Sequence, residues 1–255
     1  MKKIFTLLMV TLVVSAQAQT PSPELLNHFT FVGLKNEVKA DYGTLQNPLP
    51  SGTFVNIANR SAMQTQTRKL QNSYRWPDGS VPDFSKRGSM QGKNGIVDMY
   101  TLINANSKDT IRLYVDPYHA ADSYFVPKGL VAMNSKLLAK EIAPLVKIAE
   151  ELNDAPDASI LQETSSQLLG AINKQVGTDF LVDGDVIAPI ATDKEADKPF
   201  IGYLIRSYVF AKFLAYAKNI KDPKSFATKK MKENFEKYTS LHPEVKAGTL
   251  KETIK

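Results

Sequence analysis

Residues Thr110–Asp116 alternate without a break between apolar and polar side chains. Ile111, Leu113 and Val115 fall on one face, and Arg112, Tyr114 and Asp116 on the other. This period of two marks a strand with one face on a core and one in water. Residues 96–103 read as a second strand, and the polar residues 104–109 join the two as a hairpin. Residues 52–58 are also rich in strand formers and predict a further strand.

A period near 3.6 takes over elsewhere. Leu25, Leu26 and Phe29 predict a short helix entered through Pro23. Residues 61–70 predict another, with Ser61 as its N-cap. Residues 41–52 read as a loop, and residues 73–95 as a long irregular stretch. Within the latter, Trp76-Pro77-Asp78-Gly79 is a turn signal, and Gly88, Gly92 and Gly95 punctuate a basic loop.

The character changes near Pro127. Leu137, Leu138, Ile142, Leu145, Val146, Ala149 and Leu152 mark a helix that Pro144 is expected to kink or split. Ile160, Leu161, Thr164, Leu168, Leu169, Ile172 and Val176 mark a second, beginning after Pro156. Asp183-Gly184 reads as a small hairpin turn. Residues 199–220 predict a third helix with Pro199 in its first turn, and residues 225–240 a last one. The third helix is long and aromatic, but Arg206, Lys212 and Lys218 argue for a buried helix rather than a membrane span.

Strands first and helices afterwards predict an α+β fold. The expected architecture is a small antiparallel sheet in the N-terminal half packed with a C-terminal group of about four helices. A β-rich part, 19–126, and a helical part, 127–255, form one domain. The hairpin has a single apolar face and needs the helices to cover it.

The N-terminus changes the picture of where the chain works. Lys2 and Lys3 precede an uncharged apolar run over residues 4–14, followed by Ser15-Ala16-Gln17-Ala18. This is the pattern of a cleavable secretory signal over 1–18, with cleavage after Ala18 or Ala16. The run is too short to span a bilayer, which needs about 20 residues. A periplasmic or secreted protein with no transmembrane segment after cleavage is expected. The chain has no Cys, so thiol nucleophiles, Cys-ligated zinc and disulfides are excluded.

Charge is unevenly spread. The chain carries 32 Lys plus Arg against 26 Asp plus Glu. Residues 206–255 hold twelve Lys or Arg and five Asp or Glu. These basic C-terminal helices suggest weak contact with an anionic surface, or simply a lysine-rich solvated face. Lysine in place of arginine, together with export, argues against nucleic acid.

Familiar motifs fail on spacing. Ser89 adjoins Gly88 and so cannot form a nucleophile elbow. Residues 88–93 resemble a phosphate loop one residue short, with a strand where a helix is required. His28 and His242 read as structural. Asp179, Asp183 and Asp185 do not fit the twelve-residue calcium pattern.

Two constellations remain. Asp116, His119 and Asp122 sit where the hairpin's second strand ends, on a rim loop where function collects. His119 is a candidate general base oriented by either carboxylate, and the trio also offers a divalent metal one nitrogen and two carboxylates. The second constellation is Arg75 and Trp76, with Asp78, Asp83, Lys86 and Arg87 around them. Trp76 either stacks against a ring-shaped ligand or plugs its loop onto the sheet. Tyr118 completes the candidate ligand-binding set Arg75, Trp76 and Tyr118. No resident metal site or cofactor is specified.

The expected function is a non-catalytic periplasmic or secreted module that binds a cell-envelope ligand or protein. The alternative is a secreted hydrolase-like enzyme using Asp116, His119 and Asp122, with or without the help of a metal.

Overall fold

The computed structural model describes residues 20–154 and 162–254. The expected signal at 1–18 lies outside the described residues, as do Pro156, Ile160 and Leu161.

The chain enters through α1 (Pro23–Phe29). Ser22 caps it by accepting a hydrogen bond from the Leu25 N–H, and Pro23 sits in the first turn, where a missing N–H removes nothing. Strands β1 (Leu34–Lys39) and β2 (Leu49–Pro50) lead to α2 (Arg60–Ser73). The N-cap of α2 is Asn59 rather than Ser61; its side chain accepts from the Ala62 N–H. The strand expected over 52–58 does not form, and those residues run as consecutive turns. The cause is Gly52, at φ +62°. The chain leaves the sheet there, so Val55 and Ile57 remain 62% and 71% exposed despite their strand propensity.

The irregular stretch after α2 is shorter than its glycines suggest. Strand β3 (Tyr74–Arg75) opens it and β4 (Arg87–Gly92) closes it. The expected basic loop is therefore an edge strand. It pairs antiparallel with β5 (Gly95–Ile103) across the two-residue turn Lys93-Asn94. The hairpin of β5 with β6 (Thr110–Asp116) forms with the expected ends, in register from Asp98↔Val115 to Ile103↔Thr110. Leu113 and Val115 are buried on its inner face, as the alternation required. The sheet order is β2-β6-β5-β4, with β2 parallel to β6. Strand β7 (Tyr124–Pro127) pairs parallel with β1, and β8 (Val131–Ala132) pairs antiparallel with β3.

Helices follow, and the fold is α+β. Helix α3 (Ser135–Asn153) runs unbroken through Pro144. Pro144 is exposed, so the Lys140 carbonyl that loses its helical donor faces the solvent side. After α4 (Gln162–Gln175) and a 3-10 turn (Asp179–Leu181), Asp183 starts α5 (Gly184–Ala191) instead of turning a hairpin. Helices α6 (Lys198–Ala217), α7 (Pro223–Leu241) and the short α8 (Leu250–Thr253) complete the chain. Among the described residues no helix is long and apolar enough to cross a membrane.

Helix α6 is central. Val209, Phe210 and Phe213 face a core with α3 and α4, while Phe200, Leu204 and Tyr208 face a second core with α5 and α7. Its one deeply buried cation, Lys212, is held by the Asp183 carboxylate, which also accepts from the Tyr208 hydroxyl. Burial pushes the Asp183 carboxyl up, but those two hydrogen bonds outweigh it and hold it below its ordinary value.

The β-rich and helical parts interlock. Leu25 and Phe29 of α1 are buried in the helical core, and the Ser22 N–H bonds the Tyr216 carbonyl at 2.8 Å. Arg75 of β3, only 2% exposed, forms a two-pronged ion pair with Glu141 of α3 at 2.5 and 2.8 Å. Its third nitrogen donates to the carbonyls of Gln71, Asn72 and Tyr74.

Three outcomes follow from this interlock. Glu141→Gln leaves a buried guanidinium without its counter-charge and should cost about 3 kcal/mol in urea denaturation. Residues 19–126 alone would expose Leu25 and Phe29, so circular dichroism on that fragment should show no cooperative transition. His28 stacks on Phe180 at 3.9 Å and faces Asp179 at 3.4 Å. Burial lowers its pKa; Asp179 opposes that, and Lys69 and Arg68 add to it. The folded value thus lies below the unfolded one, about 6.5, so protonation favours the unfolded chain. Stability held above that pH is lost below it. His28→Gln should therefore lose less stability than the parent between about pH 7 and pH 5, read by urea denaturation at each pH.

Candidate functional site

Strand β6 ends at Asp116, and the loop that follows is built around that carboxylate. Asp116 Oδ1 accepts the backbone N–H of Tyr118 at 2.9 Å and of His119 at 3.2 Å. Its Oδ2 lies 2.7 Å from His119 Nδ1. An ionised carboxylate only accepts, so Nδ1 is the donor to it, and in the neutral ring the lone pair is then on Nε2. Nε2 has no partner among the described residues, and the side chain is 66% exposed.

A second segment clamps this loop from behind. The N–H groups of Ser51, Gly52 and Phe54 donate to the carbonyls of Asp116 (2.8 Å), His119 (2.8 Å) and Pro117 (2.6 Å). Ser51 is fully buried, and its hydroxyl adds a 3.3 Å bond to the Asp116 carbonyl. A Cβ on Gly52 would stand 2.8 Å from the Ala120 Cβ, so this close approach requires glycine. The Phe54 ring lies 5.7 Å from that of Tyr118. The imidazole is therefore mounted on a rigid double loop.

The ring borders a cleft of about 110 Å³, lined by Lys93, Asn94, Ile96, Asp116, Tyr118 and His119, with Gln46 and Pro48 beside them. The β4–β5 turn thus brings Lys93 and Asn94 to the same place as the Asp116–His119 pair. Lys93 is exposed and has no ion-pair partner among the described residues. Sequence spacing pointed to Lys93 only through a phosphate loop that failed. The signal that finds it is strand pairing: Gly92 opposes Gly95, so residues 93 and 94 must form the tip.

The other sequence candidates lie elsewhere. Asp122 does not join the pair; it is exposed, and its carbonyl packs against Gly33. Among the described residues no group of three His, Asp or Glu stands close enough to hold a metal ion, so the metal-assisted trio is not assembled. Arg75 and Trp76 are both buried and border no part of the cleft. Every nitrogen of Arg75 is engaged inside the protein, and Trp76 packs in the sheet core with Leu70, Tyr74 and Phe84. Neither offers a face for stacking. Of those three residues only Tyr118 lines the cleft. Asp78 is held well below the carboxylate range by the Ser80 hydroxyl and the Asn106 amide. It serves as the hub of two turns. Asp179, Asp183 and Asp185 each face a different basic group, namely His28, Lys212 and Lys224, rather than a common centre.

Two larger openings exist. One, of about 480 Å³, is lined by polar residues of α2 and the Asn173–Asp179 region, where Arg68 is tied to the Asn173 carbonyl at 2.9 Å. The other, of about 510 Å³, lies along the first turns of α7. Neither is lined by a histidine, as the smaller cleft is. Some lysines of the basic C-terminal region are paired: Lys218 with Glu150, Lys224 with Asp185, and Lys230 with Glu233 and Asp154.

No family model, no curated protein and no solved structure matches this chain.

Proposed function

We propose that this protein is an exported, non-catalytic binding module that seats a small anionic group, carboxylate or phosphate, in the cleft at the end of β6. One observation carries the reading. His119 and Lys93 line one cleft, and neither His119 Nε2 nor the Lys93 ammonium has a hydrogen-bond or ion-pair partner among the described residues. Lys93 supplies the positive charge. The imidazole accepts from a protonated ligand oxygen when neutral and donates to a bare one when charged, so it serves either form. The Asn94 and Gln46 amides add donors. Room for only a few water-sized groups suits the head of a ligand rather than the whole of it. Export rests on the pattern of residues 1–18.

The 2.7 Å bond from Asp116 to His119 also favours a second reading, a hydrolase-like enzyme in which His119 removes a proton from a ligand-bound water. No hydroxyl is bonded to Nε2, so the nucleophile would have to come from solvent.

A thermal-shift titration of residues 19–255 with inorganic phosphate and with acetate tests both. A ligand at 100 times its dissociation constant adds about 2.7 kcal/mol and raises the midpoint by several degrees. Lys93→Gln should abolish the shift and His119→Gln should weaken binding about tenfold or more. Silence with both anions, or a shift that survives both substitutions, defeats the binding reading. Loss by His119→Ala of an ester-hydrolysing activity at unchanged melting temperature would establish the enzyme instead.

A further inference from the structure

The rim of the cleft is unlike its floor. Ile96 and Tyr118, both lining it, are about half exposed. Met90, three residues before the β4–β5 tip, is also exposed. The turn segment that clamps the His119 loop is joined to it by backbone bonds. It carries Val55 and Ile57, the latter the most exposed large apolar side chain among the described residues. Val55 packs against Gly52, whose N–H is bonded to the His119 carbonyl, so this segment belongs to the same end of the sheet. Lys93, which lines the cleft, and Arg60, three residues after Ile57 at the start of α2, are exposed cations, neither with an ion-pair partner among the described residues. Arg87 is engaged by Asp98, and Asp116 by His119.

Apolar side chains borne on separate loop tips, with cations beside them, do not make the continuous flat patch of a protein–protein interface. They match the boundary of a lipid bilayer, where aliphatic tips enter the acyl region, a tyrosine sits at headgroup level and lysine or arginine meets the phosphates. We infer that this end of the sheet docks on an anionic phospholipid surface, with a headgroup phosphate in the Lys93–His119 cleft. The inference rests on the anion reading of that cleft and names the source of the anion. It places the membrane contact at this end of the sheet rather than on the basic C-terminal helices.

The test is sedimentation of residues 19–255, which contain every described residue, with two kinds of vesicle. One is an equal mixture of phosphatidylglycerol and phosphatidylethanolamine; the other is phosphatidylcholine alone. The parent should sediment with the first and stay in solution with the second. Val55→Asn with Ile57→Asn should weaken binding about tenfold or more, since each side chain forfeits its apolar burial. These positions are exposed, so the core is untouched, and an unchanged melting temperature confirms it. Lys93→Gln should weaken binding about fivefold. Lys229→Gln with Lys232→Gln, on α7, should change nothing. A parallel arm follows the His119 ring signal by NMR as inorganic phosphate is added without lipid. A phosphate response with no vesicle binding overturns the lipid inference and leaves the anion site standing. Silence in both arms overturns the two together. Vesicle binding that survives the Val55/Ile57 substitutions, or fails with the α7 lysines, also overturns it.

Discussion

A buried guanidinium organises this protein. Arg75 lies in a two-residue strand under the sheet, and its charge cannot remain there unpaired. Isolated in the interior, an ion would cost several kcal/mol. The counter-charge comes from Glu141, in the second turn of the first helix of the other half, and the two-pronged geometry restricts the relative placement of β3 and α3. With no cysteine anywhere in the chain, this pair, helix α1 inserted into the helical core, and the apolar contacts around them hold the halves in register. The pair contributes more to specifying the arrangement than to net stability, because desolvation offsets most of its attraction.

The same logic of satisfying polar groups builds the candidate site. Asp116 ends a strand with a carboxylate that three donors could reach: two backbone N–H groups and an imidazole. Meeting all three folds the loop tightly and turns His119 Nε2 outward. The three backbone bonds from residues 51–54 then remove the freedom the loop would otherwise have. A weak local signal, one histidine near one aspartate, becomes a pre-oriented ring beside an unpaired lysine. Rigidity of this kind is what a binding group needs if ordering costs are not to consume its affinity.

The central hairpin was legible down to its ends, because alternation over Thr110–Asp116 is a local consequence of one buried face. The long helices were legible for the same reason, as were Pro23 and Pro199 near helix starts, whereas α5 was read as a hairpin turn. Pro144 does not split α3, because an exposed helix position tolerates the lost backbone bond better than a buried one. Residues 52–58 misled because Gly52 is held against Ala120 by a partner 68 positions on, and strand propensity does not register that contact. Trp76 and Arg75 looked like a binding pair, but burial is a property of the assembled core.

Sequence alone determined the alternation, the helix periods, the absence of any thiol and the α+β order, because each depends on neighbours within a turn or two. It also carried His119 with Asp116, three residues apart. Only the tertiary structure decided that Lys93 meets them, that Asp122 does not, and that Val55 and Ile57 stay exposed beside the cleft. Those outcomes depend on strand pairing and on a backbone clamp between segments some 65 residues apart, such as Ser51 and Asp116. The physical reason is the range of the forces: side-chain pattern acts along the chain, whereas hydrogen-bond satisfaction and burial act through space.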